Sequence, residues 1–193
     1  MRTAWAIANA ASSLSGNAAA GRHPLSRLRW TVGPVRAEIS TPLDRSSSTP
    51  LHLTLSAWET GALIAMYNKS DRMQWRDGLI AFQNDVRYRA EGEFWDGYTI
   101  GVFPGVVRRM PDTVWRHEVI HAVQSLQLDS VEPPLSVFTN RFTKRFRFVT
   151  LDVEAGAIPV LQAVALSQQD YDARWNEIEA YRLADGVEPP APR

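Results

Sequence analysis

Two histidines and a glutamate lie close together in the stretch WRHEVIHAVQ, residues 115–124. A helix advances about 100° per residue, so His117 and His121 would lie on one face, about 40° apart. Glu118 would lie about 100° from His117, beside the two imidazoles but not stacked with them. Imidazoles four residues apart on one helical face can bind a single metal ion. The spacing therefore predicts a metal site with a carboxylate beside it.

These residue types suit zinc-assisted hydrolysis. Neutral imidazole is a good zinc ligand, and zinc lowers the pKa of a bound water to about 7. A carboxylate beside the ion, here Glu118, can take the proton as that water attacks a carbonyl, and can then pass it to the leaving amine. The alternative is that both histidines are ordinary core or surface residues whose spacing is accidental.

The rest of the stretch predicts which side of this helix is buried. Its apolar residues fall about 140° to 240° from His117, on a face opposite the histidines. They are Trp115, Val119, Ala122, Val123 and Leu126. Pro111-Asp112 is typical of a helix start and Pro133-Pro134 of a helix end, so a helix is expected from there to about Asp129.

Composition narrows the class of protein. The 193 residues suit one domain, and 21 basic and 21 acidic side chains cancel, which argues against a dedicated nucleic-acid or membrane-surface binder. There is no cysteine, so any metal must be held by His, Asp or Glu. No apolar run approaches the roughly 20 residues of a membrane span.

Hydrophobic patterns outside the motif predict an α+β fold. Alternation predicts two strands joined at Gly33-Pro34, further strands at 51–56 and 136–149, and a hairpin at 93–103 with Asp96-Gly97 at its turn. Helical spacing predicts helices at 57–68, 73–88, 152–167 and 170–184.

The motif resembles that of the HExxH zinc metallopeptidases, the zincins. HEVIHAVQ is similar to the HExxHxxQ group of small bacterial zincins, whose third ligand is usually a downstream glutamate, which makes the chain gluzincin-like. It departs from the HxxGxxH extension of metzincins, because Gln124 and Gln127 stand where that extension has its glycine and third histidine. The resemblance implies Zn²⁺ on His117 and His121, with Glu118 as the catalytic base.

The resemblance also implies a fold and a substrate. A zincin-like fold has a small mixed or antiparallel sheet packed on a backing helix and the HExxH helix, with a mostly helical C-terminal part. The edge strand of that sheet binds a peptide or protein substrate as an added strand, and YTIGVF (98–103) is the expected edge. The chain is then a zinc metallopeptidase, a hydrolase of peptide bonds.

A catalytic zinc normally has three protein ligands and an open position. Glu177 would share a helical face with Ala180, Tyr181 and Ala184, and its surroundings resemble the ExEAY stretch of the HExxHxxQ group. Glu154 resembles the EGxA glutamate of other gluzincins, although Pro159 would kink its helix. Glu177 is preferred, Glu154 is the alternative, and Glu179 points away from the Glu177 face. The alternative for either glutamate is an ordinary solvent-exposed charge on a helix.

Three further side chains have candidate roles. Tyr181, on the face of Glu177, could donate a hydrogen bond to a developing oxyanion, or it is a packing residue. His23 and His52 lie far upstream and are expected to be structural or exposed.

The sequence predicts a single domain over residues 25–186. Its first part, 25–130, is expected to hold the sheet and the motif helix, and its second part, 131–186, the third ligand. Residues 1–24 are a helical or poorly ordered arm, a poor match to a signal peptide, and proline-rich 187–193 a disordered tail.

Alternative functions remain open. The domain could bind metal without catalysis, although that role does not need Glu118. FTNRFTKRFRF alternates Arg141, Arg145 and Arg147 with phenylalanines, a pattern of nucleic-acid binding and, more commonly, of a half-buried strand with a charged outer face. The small size and the potentially destructive activity also suggest a toxin or effector domain of a larger protein.

Overall fold

The helices and strands of the chain come from a computed structural model, which describes residues 2–44, 48–90, 93–108, 111–131, 140–155 and 175–185. Within these ranges the helices are α1 (Arg2–Ala19), α2 (Ala57–Lys69), α3 (Asp112–Val131) and α4 (Trp175–Asp185). The strands are β1 (Arg27–Val32), β2 (Val35–Ser40), β3 (Leu51–Ser56), β4 (Arg72–Arg76), β5 (Leu79–Asn84), β6 (Tyr88–Ala90), β7 (Glu93–Trp95), β8 (Gly97–Ile100), β9 (Phe103–Val107), β10 (Asn140–Arg145) and β11 (Val149–Ala155). The α+β class predicted from the sequence is confirmed.

Two mixed sheets organise the described residues. The larger has the order β1-β2-β3-β11-β10 and the smaller the order β4-β5-β9-β8, while β6 and β7 pair with each other. One pair in each of the two sheets is parallel, β3 with β11 and β5 with β9, and the other pairs are antiparallel. No helix in the described ranges is both long and apolar enough to cross a bilayer.

The hydrophobic core lies between the four-stranded sheet and the helices α1, α2 and α3. Phe82 and Phe103 from its two central strands meet edge to face, with ring centroids 6.3 Å apart. The apolar face predicted for α3 is confirmed, because Trp115, Val119, Ala122 and Leu126 are buried and Val123 packs against the core. The opposite face of α3 is thereby turned away from the core, which leaves its histidines available for a site.

Helix α1 covers the outer edge of β1 with side chains four residues apart. The bonds run from Trp5 Nε1 to the Thr31 carbonyl (3.3 Å), from Thr31 N to Asn9 Oδ1 (2.7 Å), from Arg29 N to Ser13 Oγ (2.8 Å) and from Asn17 Nδ2 to the Arg27 carbonyl (2.8 Å). Four residues rise about 6 Å along a helix, close to the roughly 6.6 Å of two strand residues. The helix and the strand therefore stay in step, and we call this set the α1 ladder.

The helix predicted over 73–88 is wrong, because this segment forms the hairpin β4–β5. Its two-residue turn is Asp77-Gly78, and both residues have positive φ, 53° and 92°. Two positive φ values match the twist of the flanking strands and favour the Asp-Gly dipeptide. The apolar residues of this segment have helix-like spacing, but they are divided between an exposed β4 and a largely buried β5.

The hairpin predicted over 93–103 with its turn at Asp96-Gly97 is wrong, because β7 pairs with β6 and the hairpin that follows is formed by β8 and β9. In that hairpin the chain turns at Gly101-Val102, where Gly101 has a φ of 57°. Buried Glu59 of α2 fixes this turn by accepting a hydrogen bond from Val102 N (3.1 Å). Strand β8 is terminal in its sheet, so residues 98–100 of the expected edge strand are at an edge, whereas Phe103 belongs to β9.

Two C-terminal predictions need correction and others fall outside the described ranges. The strand expected over 136–149 ends at Arg145, and β11 begins at Val149. The helix expected from 152 is a strand up to Ala155, because β11 pairs with both β3 and β10. The helix expected over 170–184 corresponds to α4, which begins at Trp175. Residues 132–139, 156–174 and 186–193 lie outside the described residues.

Candidate metal centre

Three side chains from two helices meet at one point. His117 Nε2 and His121 Nε2 are 3.0 Å apart. Glu177 Oε2 lies 3.2 Å from the first and 3.3 Å from the second. The three donor atoms form a nearly equilateral triangle, and we call these residues the triad.

The donor set and its spacing fit zinc. Ligand atoms at zinc distance in a tetrahedral site lie about 3.3 to 3.5 Å from one another, close to the three separations in the triad. Two imidazoles and one carboxylate are a common set for a catalytic zinc, whose remaining position faces solvent or substrate. The side chains of His117 and His121 keep 12% and 13% of their surface exposed, so the site can be reached from solvent.

Glu177 reaches the triad because α4 packs closely on α3. It lies in the first turn of α4 and is 5% exposed, while Ala180 and Ala184 are buried farther along. Small side chains on that face let two helices approach each other, as the sequence pattern predicted. Of the two glutamates weighed as third ligand, the structure brings Glu177 to the histidines.

Glu154 and Glu179 lie elsewhere. Glu154 is buried on β11, and its carboxylate lies 4.0 Å from the guanidinium of Arg36. Glu179 does not join the triad but accepts a hydrogen bond from Gln124 Nε2 (2.7 Å). Glu154 is not in the group of side chains that could hold a metal ion in the described part of the chain.

Strand β8 holds Glu118 in place beside the triad. The hydroxyl of Thr99 donates to Glu118 Oε2 at 2.6 Å. A Cβ at Gly97 would overlap the carboxylate of Glu118 and lie 2.7 Å from its Cγ. Thr99 and Gly97 are two residues apart and so face the same side of the strand. Only glycine at position 97 leaves room for the carboxylate where it lies.

Burial and nearby charges perturb two groups at the site. Burial raises the pKa of the Glu118 carboxyl above its ordinary value, and the neighbouring histidines and the Thr99 hydrogen bond act against that rise. Burial acts to lower the pKa of His121, but the hydrogen bond and charge of Glu177 outweigh it and raise the pKa to about 9. A proton and a metal cation therefore compete for the space between these ligands.

The other candidate side chains are placed as follows. The ring of Tyr181 lies against the His117 imidazole, with centroids 4.7 Å apart, so it is next to the triad. His23 accepts from Leu25 N within its loop, and His52 on β3 bonds Thr49; neither belongs to the triad.

The basic stretch does not form a half-buried strand. Phe142, Phe146 and Phe148 are exposed by 68%, 51% and 60%, and residues 146–148 form the connection to β11 rather than more of β10. Lys144 lies over the Phe146 ring and Arg147 over the Phe148 ring, 5.6 Å and 5.0 Å from the centroids. The expected burial of the phenylalanines is therefore wrong.

The sequence alone does not predict the contacts that Thr99, Gly97 and Gln124 make at this site. The Asp-Gly pattern predicts Gly97 as a turn residue, whereas in the structure Gly97 allows the close approach of Glu118. Period-two alternation from an assumed edge strand would have put Thr99 and Gly97 on one face, but nothing in the sequence says which face meets α3. The motif pattern includes Gln124 but predicts no contact for its side chain.

Comparison with known proteins adds no relative. No protein-family model, no curated protein and no solved structure matches this chain. A function for the chain must therefore be inferred from its residues and their geometry.

Proposed function

We propose that this chain is a zinc-dependent metallopeptidase of the zincin type, gluzincin-like in its ligands. The observation that supports this most is the triad of His117, His121 and Glu177, with Glu118 held beside it by β8. Zinc bound there would supply a Lewis acid that polarises a substrate carbonyl and makes a water molecule acidic. The carboxylate next to the triad is what distinguishes this proposal from a metal site that is purely structural.

The roles of the protein side chains follow from their positions. Glu118 takes the proton of the attacking water and delivers it to the leaving amine. Thr99 and Gly97 keep its carboxylate directed at the reacting groups, so that little reorganisation is needed during the reaction. Tyr181, next to His117, is proposed to donate a hydrogen bond to the oxyanion that develops on the substrate.

The zincin-like architecture is part of the same proposal. The four-stranded sheet ends in β8, the motif helix α3 packs on β8 and β9, and α2 contacts the same two strands as a backing helix. The helix α4 brings the third ligand. An extended peptide paired with β8 would pass Glu118 and the triad, which is the geometry that adding a substrate strand requires.

Replacing Glu118 tests catalysis separately from metal binding. Glu118→Gln should lower peptide hydrolysis by about 10² to 10⁴-fold, because general-base catalysis contributes that much, and should keep one zinc per chain. The control is Asp112→Asn, which removes a carboxylate from the exposed start of the same helix. Hydrolysis that is equal in both variants would refute the role of Glu118, and a wild type that binds zinc but cleaves no peptide would support a catalytically silent domain.

A further inference from the structure

Gln124 bonds the imidazole of His121 from behind. It lies on α3, three residues after His121, and is 4% exposed. His121 Nδ1 is 2.8 Å from Gln124 Oε1. An amide oxygen only accepts hydrogen bonds, so the proton of this bond belongs to Nδ1. In neutral His121 the lone pair is then on Nε2, the nitrogen that belongs to the triad.

Two acceptors on α4 fix the orientation of the Gln124 amide. Its Nε2 donates to the carbonyl oxygen of Asn176 (3.1 Å) and to Glu179 Oε2 (2.7 Å). A reversed amide would place its oxygen against both of these acceptors and its NH₂ group against His121 Nδ1. The amide therefore has one favourable orientation, and the tautomer of His121 follows from it.

The same side chain joins the two helices that supply the ligands. Asn176, whose carbonyl oxygen accepts from Gln124, directly precedes Glu177. Gln124 thus connects the backbone next to one ligand with the ring of another. A change at Gln124 should disturb His121 and Glu177 together.

We infer that Gln124, oriented by Glu179, is a positioning residue for zinc: it fixes the tautomer of His121 and the placement of α4 against α3. This inference depends on the proposed zinc site and adds to it the two residues that prepare the ligands. Partners behind metal-ligating histidines commonly contribute about 10 to 100-fold in metal affinity.

The test is the zinc dissociation constant of the purified chain, measured by competition with a chelator. Gln124→Met keeps the size of the side chain and removes its hydrogen bonds, so zinc should bind about 10 to 100-fold more weakly. The matched control is Gln74→Met, the same substitution on exposed β4, which should leave the affinity unchanged.

An exchange of the two groups distinguishes positioning from packing. In Gln124→Glu combined with Glu179→Gln, a carboxylate still accepts from His121 Nδ1 and an amide at position 179 donates to it. Its zinc affinity should lie above that of Gln124→Met but below that of the wild type, because the Asn176 carbonyl oxygen has lost its donor. A residue needed only for packing would tolerate Gln124→Met and would gain nothing from this exchange.

The outcomes separate the inference from the proposed function. A wild type that binds no zinc refutes the proposed function. A wild type that binds zinc, together with Gln124→Met at unchanged affinity, overturns the inference alone. If Gln124→Met does not fold, Glu179→Met decides, because position 179 is exposed. We expect about ten-fold weaker zinc binding there, and an unchanged affinity would overturn the inference.

Discussion

Strands β1 and β8 both end a sheet, but the protein treats their edges differently. The outer edge of β1 is bonded along its length by the α1 ladder, so another strand cannot be added there. Strand β8 is also terminal in its sheet. In the described residues, helix α3, which bears Glu118, packs on one face of this strand. Exposed edges invite pairing with other chains, and proteins usually cover or charge them.

The two remaining terminal strands of the larger sheets are charged instead. Strand β4 has Arg72 and Arg76, and β10 has Arg141, Lys144 and Arg145. Within the described residues, β8 (GYTI) has neither a ladder nor a charged side chain. Among the terminal strands of these two sheets, as far as the structure describes the chain, β8 alone has neither form of protection, and the proposed peptide substrate would pair with this edge.

Among changes at the two edges, the largest effect should come from closing the space beside Glu118. Gly97→Ala places a methyl group where the carboxylate lies, and a displacement of about 1 Å in a catalytic group can cost on the order of 100-fold. We expect peptide hydrolysis to fall by about that factor while zinc stays bound. Gly61→Ala on α2, where a Cβ meets nothing within 4 Å, is the control and should stay active; equal activity in the two variants would contradict the account.

Breaking the α1 ladder should affect stability rather than activity. Asn9→Ala leaves the buried Thr31 N–H without its acceptor, which should cost about 1–3 kcal/mol of the free energy of unfolding. Denaturant unfolding measures the loss, and Asn68→Ala on the exposed face of α2 should cost much less. If the folded Asn9→Ala protein lost its peptidase activity, the two edges would not have the separate roles described above.

Removing the Thr99 hydroxyl should weaken catalysis moderately. Thr99→Val takes the hydrogen bond from Glu118 but keeps the shape, and we expect about a ten-fold loss of kcat/KM, roughly 1.4 kcal/mol. Steady-state kinetics on a peptide measure it, with the exposed Thr113→Val on α3 as the comparison. A Thr99→Val variant that cleaves the peptide as fast as the wild type would show that β8 does not position Glu118 for the proposed reaction.

The smallest effect should be a change in stability at acidic pH, caused by a carboxyl group near the covered edge. Burial acts to raise the pKa of Glu38, but Arg29, Arg36 and Arg27 outweigh it and lower the pKa below 4.5. Because the folded pKa is below the unfolded one, the stabilisation is present above pH 4.5 and is lost as the pH falls through the folded value. Glu38→Gln should therefore be less stable than the wild type at pH 7, and the difference should shrink below pH 4.5. Unfolding at several pH values tests this, and a constant difference would refute it.

Two of the three Asp-Gly dipeptides in the sequence show what a local pattern can predict. Asp77-Gly78 is a hairpin turn, as Asp-Gly favours, but helix-like apolar spacing masked it. The same rule predicts a turn at Asp96-Gly97, whereas Gly97 is needed there because Glu118 approaches it. A local rule states what glycine permits, and only the tertiary structure shows which property is used.

The motif helix was predictable because all its signals are local. These signals all lie in or next to one helix: the spacing of His117 and His121, the apolar face of α3, and the prolines at its boundaries. The signal for Glu177 is also local, because small alanines share its helical face. The contacts of Thr99 and Gln124 could not be predicted, since they join segments that only packing brings together. Glu154 was a plausible ligand on a helix, and its place in β11 depends on pairing with β3 far upstream.

Zinc content measures the central claim most directly. The purified wild type, Glu177→Gln and Glu154→Gln would be loaded with zinc, dialysed and analysed for metal side by side; each variant replaces one buried carboxylate by an amide of similar size. We expect one zinc per chain in the wild type and in Glu154→Gln, and loss of zinc in Glu177→Gln. A folded wild type that retains no zinc after reconstitution would contradict the account.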